Sequence, residues 1–259
     1  MKNLKRIKNN NTLPLVSIIT VVKNGDKVLE NTIKSVINQT YPEIDYIIID
    51  GASKDKTLEI IKKYENHISK WISEPDKSLY DGMNKGLKLA KGEYVWFINA
   101  GDKIYDDSTL EKAFEKRDGD VYYGETVFEN LEGKKIGPWW HKTPDELTWK
   151  KMNRGMLVCH QSFIIRKSLV TEYDLKYKVS SDFDWMIKGL KKSNKIINTK
   201  LILSRFLAGG FSKKHEFASW VDNYHILKKN FGFWRNFINQ IFMAVNRFQK
   251  ILFSSRPRT

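Results

Sequence analysis

Cysteine occurs once in these 259 residues, at Cys159, which excludes an internal disulfide and a zinc site built on cysteines and fits a reducing compartment. No apolar run approaches the roughly 20 residues that a membrane span needs; stretches such as Ile241 to Val245 are far too short. The N-terminus carries charge with no apolar segment behind it, so no signal peptide is expected. There is no low-complexity linker and no internal repeat. Neither GxGxxG nor GxxxxGK[ST] occurs, which leaves ordinary dinucleotide and P-loop readings without support.

Acids are the scarcer charge, 30 against 45 Lys and Arg, for a net charge of +15. The excess is uneven. Met1 to Asn10 holds four cations and no acid, and Phe211 to Thr259 holds nine cations against Glu216 and Asp222. The two hundred residues between the ends are nearly neutral, which points away from a polyanion-binding body and toward basic termini on a different kind of domain. A hydrophobic content of 41% is enough for one substantial core.

Val16 to Val22 (VSIITVV) is a continuous β-branched run ended by Asn24-Gly25, the signature of a buried parallel strand leading into a turn. Leu29, Ile33, Val36 and Ile37 then fall at helical spacing within Val28 to Gln39. Further strands are expected at Tyr46 to Ile49, Lys70 to Ser73 and Tyr94 to Ile98, with helices marked by Leu58, Ile61 and Tyr64 and by Leu79, Met83, Leu87 and Ala90. This alternation predicts an α/β domain with a mainly parallel sheet flanked by helices and right-handed crossovers. Ser108 to Glu111 has capping-box spacing for another helix. Beyond it, strands are expected at Val121 to Tyr123, Thr126 to Glu129, Ser162 to Ile165 and Ile196 to Phe206, and a helix through Phe183, Met186, Ile187 and Leu190.

Ligands of open parallel sheets bind outside the carboxyl ends of the strands. Three polar clusters stand there: Asn24-Gly25, Asp50-Gly51-Ala52-Ser53-Lys54-Asp55 and Asn99-Ala100-Gly101-Asp102. The segments TVVKNG, IIIDGASKDKT, SEPDKSLYDGMNKG and AKGEYVWFINAGD, in this order and at these spacings, resemble the family 2 glycosyltransferases of GT-A fold, especially the bacterial branch that builds capsules, exopolysaccharides and O-antigens. The resemblance runs from about Leu15 to Ser212.

What it implies is a donor site for a nucleoside-diphosphate sugar, UDP-linked by preference, around Asn24, Asp50, Ser53, Asp76, Asp81, Asn84 and Lys85. Asp50 would accept hydrogen bonds from uracil or ribose, Asn84 would hold a hydroxyl and Lys85 would face phosphate. Asp102 matches the last acid of a DxD-type motif that binds Mg2+ or Mn2+ across the diphosphate. Asn99 and Gly101 stand where acids often stand, so the metal set is reduced to one carboxylate. Asp182, in the segment Ser180-Ser181-Asp182-Phe183-Asp184-Trp185, falls at the family's general base; read alone it is a helix cap. His160 either orients the acceptor or contacts the leaving phosphate, with a structural histidine as the alternative. Gly209-Gly210-Phe211-Ser212 resembles the family's glycine loop beside the substrates.

From Trp234 the residues Phe237, Ile238, Ile241, Phe242, Val245, Phe248 and Leu252 repeat at helical spacing, accompanied by Arg235, Arg247, Lys250, Arg256 and Arg258. That pattern fits a helix lying on an anionic leaflet, or one packed on the core. No nucleic-acid motif accompanies the charge. The chain therefore divides into a basic segment 1–14, a GT-A domain 15–212 and a basic amphipathic helical region 213–259. The expected activity is inverting transfer of a sugar to a lipid-linked glycan, at the cytoplasmic face of the plasma membrane. The rivals are a nucleotidyltransferase on a related fold, disfavoured by the missing glycine-rich basic loop after the first strand, and a non-catalytic glycan- or polyanion-binding protein, which the depleted acid motif keeps open.

Overall fold

The computed structural model describes residues 13–115, 118–138, 142–209 and 215–238. The first half alternates as its apolar spacing predicts: β1 (Val16–Val22), α1 (Leu29–Ile37), β2 (Ile44–Asp50), α2 (Thr57–Lys63), β3 (Lys70–Ser73), α3 (Leu79–Leu89) and β4 (Tyr94–Phe97). There follow β5 (Lys103–Ile104), α4 (Thr109–Ala113), β6 (Val121–Glu129), β7 (Lys135–Pro138), β8 (Phe163–Arg166), α5 (Ser181–Lys192), β9 (Ile196–Leu207) and α6 (Glu216–Phe231). One sheet joins the described strands in the order β3-β2-β1-β4-β8-β6-β9-β5, with β7 paired to β6.

Period-two alternation along each strand divides the apolar residues between two layers. Ile19 and Val21 of β1 point to the layer capped by α3, α5 and α6, while Val16, Ile18 and Val22 point to the layer of α1, α2 and α4. Helix α3 lies unusually close to β1. A Cβ added at Gly86 would stand 2.4 Å from Ile19 Cγ2, and one at Gly82 would stand 2.7 Å from Val21 Cγ1. The two glycines, one turn apart, thus fix how α3 sits and bring its first turn to the ends of the strands.

Parallel register carries Val22 opposite Asp50, and Asp50 opposite Ser73. β4 is parallel to β1, whereas β8 runs antiparallel to both β4 and β6. Two reversals restore direction, so β6 and its parallel partner β9 end on the same edge as the first four strands. The sheet is mainly parallel in its first half and mixed in its second, the arrangement that a GT-A fold requires.

Three local expectations need correction. The separate strands expected at Val121 and Thr126 are one strand, because the polar Gly124-Glu125 pair sits at a register shift against β9 and does not break the ladder. β5 and β7 give no strand signal in the sequence, being two and four residues long and carrying no apolar alternation. Ser108 makes no side-chain cap; Asp106 Oδ1 instead accepts from Ser108 N and Thr109 Oγ1, an Asx turn that competes with the capping box. Helix α6 packs Ile226 and Leu227 into the core at 0% and 1% exposure. Of the C-terminal stripe, Trp234, Phe237 and Ile238 are exposed, and Ile241 onward lies outside the described residues, as do the basic segment 1–12 and Gly210 to Ser212 of the glycine loop.

Candidate active site

At the carboxyl edge, three loops are tied to one another before any ligand is considered. Asn24, at φ 51°, donates its N–H to Ser53 Oγ (2.7 Å), and its Oδ1 accepts from Lys54 N (2.9 Å). Gly25 N donates to Thr57 Oγ1 and Asp26 N to Asp55 Oδ2, so the loop after β1 rests on the loop after β2. Asp50 is fully buried at the end of β2. Its carboxylate accepts from Ser53 N (3.0 Å), Ser53 Oγ and Ser73 Oγ (2.6 Å). The acid that the family pattern assigns to the nucleoside is thus occupied in joining the ends of β2 and β3, with Ser53 Oγ carrying the link on to Asn24 after β1, and Ser73 is a partner the sequence did not mark.

Lys85 is likewise engaged. Its Nζ lies 2.7 Å from Asp76, 2.9 Å from Glu74 and 3.9 Å from Asp81. Asp81 Oδ2 also accepts from Lys77 N (3.0 Å), while Ser78 caps α3 by accepting from Asp81 N. This set of one ammonium and three carboxylates braces the segment 74–85 rather than presenting a free cation.

Asn84, 4% exposed, spends both ends of its amide on Tyr173, whose backbone O accepts at 3.0 Å and whose N–H donates at 2.7 Å. It imitates a strand partner and pins the 173 loop to α3. Asn84→Ala would leave a buried N–H and a buried C=O unpaired, at about 1–3 kcal/mol each. We expect it to lower the melting temperature by roughly 4 to 15 °C, read by calorimetry; an unchanged melting temperature would show that water replaces the amide.

Tyr173 is the centre of an aromatic column. It stacks on Tyr80 (5.6 Å) and on Trp185 (5.0 Å, 11° between planes), and its hydroxyl meets His160 Nε2 at 2.8 Å. His160 is 3% exposed between Phe97, Tyr173 and Trp185, and burial drives its pKa down to about 3. It is a neutral ring at any physiological pH, which suits a fixed hydrogen-bond partner and not a proton carrier.

Asp182 stands in the first turn of α5 beside this column. Its Oδ1 accepts from Phe183 N (2.9 Å) and lies 3.2 Å from the Tyr80 hydroxyl, whose single proton is shared between it and the nearer Val179 O. The residue is half-buried, and partial burial raises its pKa to about 6 against the opposing bonds from Phe183 and Tyr80. Asp184, two residues on, turns the other way: it is 0% exposed and pairs with Lys188 (2.6 Å) and with Lys229 of α6 (3.4 Å). The two acids of the SDFDW segment therefore serve different neighbours.

Asp102, 5% exposed, is held by Gln161 Nε2 on Oδ2 (2.8 Å) and Leu207 N on Oδ1 (3.1 Å), and burial raises its pKa to about 7. Thr32 Oγ1 donates to Asp102 O and accepts from Gly101 N, fixing the loop to α1. Asn99 Oδ1 is buried with no hydrogen-bond partner. Among the described residues no cluster of three His, Cys, Asp or Glu side chains stands ready for a metal. An orphaned hard oxygen three residues from a buried carboxylate suits a cation such as Mg2+, which takes few protein ligands and keeps phosphate and water for the rest. Ser73, Tyr80, Gln161 and Tyr173 are site residues that the sequence did not mark. Gln161 directly follows His160 but carried no assigned role, and Tyr173 had no signal.

A model of glycosyl transferase family 2 matches residues 17–173 of this chain. A PGL/p-HBAD biosynthesis glycosyltransferase of Mycobacterium bovis is 29% identical over 185 residues, covering 68% of this chain and 69% of that protein. An uncharacterized glycosyltransferase of Haemophilus influenzae is 27% identical over 253 residues, 92% of this chain and 98% of the relative. Among solved structures, S. aureus TarS 1–349 superposes with a TM-score of 0.63 at 21% identity over 82% of this chain, which spans 63% of the TarS chain. The mannosyltransferase PcManGT from Pyrobaculum calidifontis, in complex with GDP-Man and Mn2+, superposes at 0.59 with 14% identity over 89% of this chain and 65% of its own. With its motifs on the carboxyl edge of a GT-A sheet and a family match over more than half its length, this chain belongs to glycosyltransferase family 2.

Proposed function

We propose that this chain transfers a sugar from a nucleoside-diphosphate donor, a UDP-sugar by preference, to the hydroxyl of a lipid-linked glycan at the cytoplasmic membrane face, with inversion at the anomeric carbon. The observation that carries the reading is Asp182: a half-buried carboxyl hydrogen-bonded by Phe183 N and Tyr80, with its pKa raised to about 6, at the strand-end edge that also holds Asp50 and Asp102. A base with that proton affinity is largely ionised at neutral pH and still takes a proton readily as a hydroxyl attacks. Oδ1 is spent on Phe183 and Tyr80, which leaves Oδ2 for the acceptor proton. Displacement in one step, with Asp182 on the acceptor side, inverts the carbon attacked.

Asp102 and Asn99 Oδ1 would hold a divalent ion, which supplies positive charge to the departing diphosphate. Gln161 and Leu207 N orient the Asp102 carboxylate for that role. The UDP-GlcNAc complex of TarS and the GDP-Man and Mn2+ complex of PcManGT support this class of donor and metal. A lipid-linked acceptor is supported by the exposed apolar side chains Trp234, Phe237 and Ile238 at the start of the C-terminal stripe.

A panel of UDP- and GDP-sugars, with Mn2+ or EDTA, tests the reading by thermal shift and by nucleotide release. One donor at a hundred times its dissociation constant should add about 2.7 kcal/mol, a rise of roughly 5 to 10 °C. Turnover with that donor should fall in EDTA. If no nucleotide sugar shifts the melting temperature or is consumed while glycans bind, the chain is a glycan-binding member of the family and the catalytic reading fails.

A further inference from the structure

Six of the nine exposed large hydrophobic side chains among the described residues lie between Phe217 and Ile238. On α6, Phe217, Trp220 and Tyr224 form one ladder, with ring centroids 6.2 and 6.4 Å apart; Phe217 is 77% exposed and Trp220 56%. Beyond α6, Phe233 stacks on Phe237 at 6.1 Å, and Trp234 is 74% exposed. A groove of about 720 Å³ opens beside the ladder, between α6 and the 176–178 loop, lined by Phe217, Ala218 and Val221 against Tyr177 and Lys178. Exposed apolar side chains clustered in this way and rimmed by polar residues mark interaction sites.

Among the described residues the charge around it is mainly positive, with the exposed Glu216 beside Phe217 set against Lys178, Lys228 and Arg235. The thirty-seven residues after Asp222 hold seven cations and no acid. Asp222 itself lines the groove, but its Oδ2 is committed to Val179 N (2.7 Å) and Ser180 N (3.2 Å). Lys176 and Lys229 are paired with Asp174 and Asp184. Lys178 and Arg235 are exposed beside the aromatic side chains, and Lys228 Nζ lies 5.5 Å over the Phe233 ring. A second copy of the chain would bring the same cations to the same face, and like charges oppose that pairing. An anionic leaflet offers what the face lacks on both counts, an apolar phase for the rings and negative headgroups for the cations.

We infer that α6, the 176–178 loop and the 233–238 segment form a docking surface for an anionic bilayer, with the Phe217–Trp220 ladder entering the headgroup region. The surface is rigidly joined to the chemistry, since Asp222 of α6 caps the backbone three and two residues ahead of Asp182. Docking would therefore present the base to the membrane plane, where a lipid-linked acceptor ends. This last step rests on the acceptor reading proposed above; the surface itself does not.

The test uses the full chain and flotation with phosphatidylcholine vesicles, with and without phosphatidylglycerol. We expect partition onto the anionic vesicles only, weakened by salt. Phe217→Ser with Trp220→Ser, and separately Lys178→Glu with Arg235→Glu, should each lower it by about tenfold or more. All four positions are exposed, so both double variants should keep the unaltered circular dichroism and the unaltered turnover of a soluble acceptor. No binding to anionic vesicles at low salt, or equal binding by both double variants, overturns the proposal. So does a dimer in sedimentation that the serine variant dissolves with no vesicle binding in either form. Vesicle binding lost in the variants of a protein that consumes no donor would sink the catalytic reading and leave the surface standing.

Discussion

An Asp182→Asn protein is expected to bind its donor as the unaltered chain does and to turn it over ~10² to 10⁴-fold more slowly, the usual contribution of a general base. The amide keeps an oxygen for Phe183 N and for the Tyr80 hydroxyl, so geometry is preserved and only the proton acceptor is removed. In the unaltered chain, kcat/KM should rise with pH through about 6, as the carboxyl ionises. Tyr80→Phe removes a hydrogen bond that favours the ionised form, so its acid limb should move to higher pH with activity retained at pH 8.

Stability gives a second, independent readout. A carboxyl whose folded pKa lies above its unfolded value near 3.9 keeps a proton in the folded state that the unfolded chain has released, so stability falls as pH rises from about 4 to about 6. Asn never ionises. Asp182→Asn should therefore melt higher than the unaltered chain above pH 6, and the difference should close below pH 4. Asp184→Asn is the control: it strips a buried partner from Lys188 and Lys229, lowering the melting temperature while sparing turnover per folded molecule. Were Asp184→Asn the inactive variant and Asp182→Asn the active one, the base would be misassigned. A product that retains the donor's anomeric configuration would overturn single displacement.

The first hundred residues were legible because their apolar periods are strong and their polar clusters fall where parallel strands end. What the sequence could not show is how those clusters spend their hydrogen bonds. Asp50 reads as a ligand-facing acid, yet Ser73, twenty-three residues away, shares its carboxylate; only the parallel register of β2 and β3 brings them together. Asn84 reads as a polar helix residue, and its partner Tyr173 lies eighty-nine residues on. Tyr80 carries an aromatic period signal that any core tyrosine would give; its contact with Asp182, one hundred and two residues away, depends on α3 lying close to β1 through Gly82 and Gly86. The second half is harder for a different reason. Its strands pair antiparallel and parallel in turn, and its short ones bury too little to impose a pattern.

Asp102 should show the other large effect, and the choice of substitution separates its two roles. Asp102→Ala leaves Gln161 Nε2 and Leu207 N without acceptors in a site that is 5% exposed, so it loses stability as well as function. Asp102→Asn keeps one hydrogen-bond acceptor and most of the shape while removing the charge. If the carboxylate serves only as a loop anchor, the Asn variant should be nearly as active as the unaltered chain. If it holds a divalent ion against the donor's diphosphate, Asn should fall by ~10² to 10³-fold in kcat/KM, close to Ala, despite a higher melting temperature than Ala. We expect the second result. Gln161→Leu then tests the support: it keeps Asp102 and removes the hydrogen bond to Oδ2, so the Mn2+ concentration for half-maximal turnover should rise by ~10 to 100-fold, with the maximal rate recovered at saturating metal. Asn99→Ala, which deletes the orphaned oxygen, should raise that concentration too and cost little stability, since Oδ1 has no protein partner to lose. Metal titrations that overlay for the unaltered chain, Gln161→Leu and Asn99→Ala would remove the ion from this corner of the sheet.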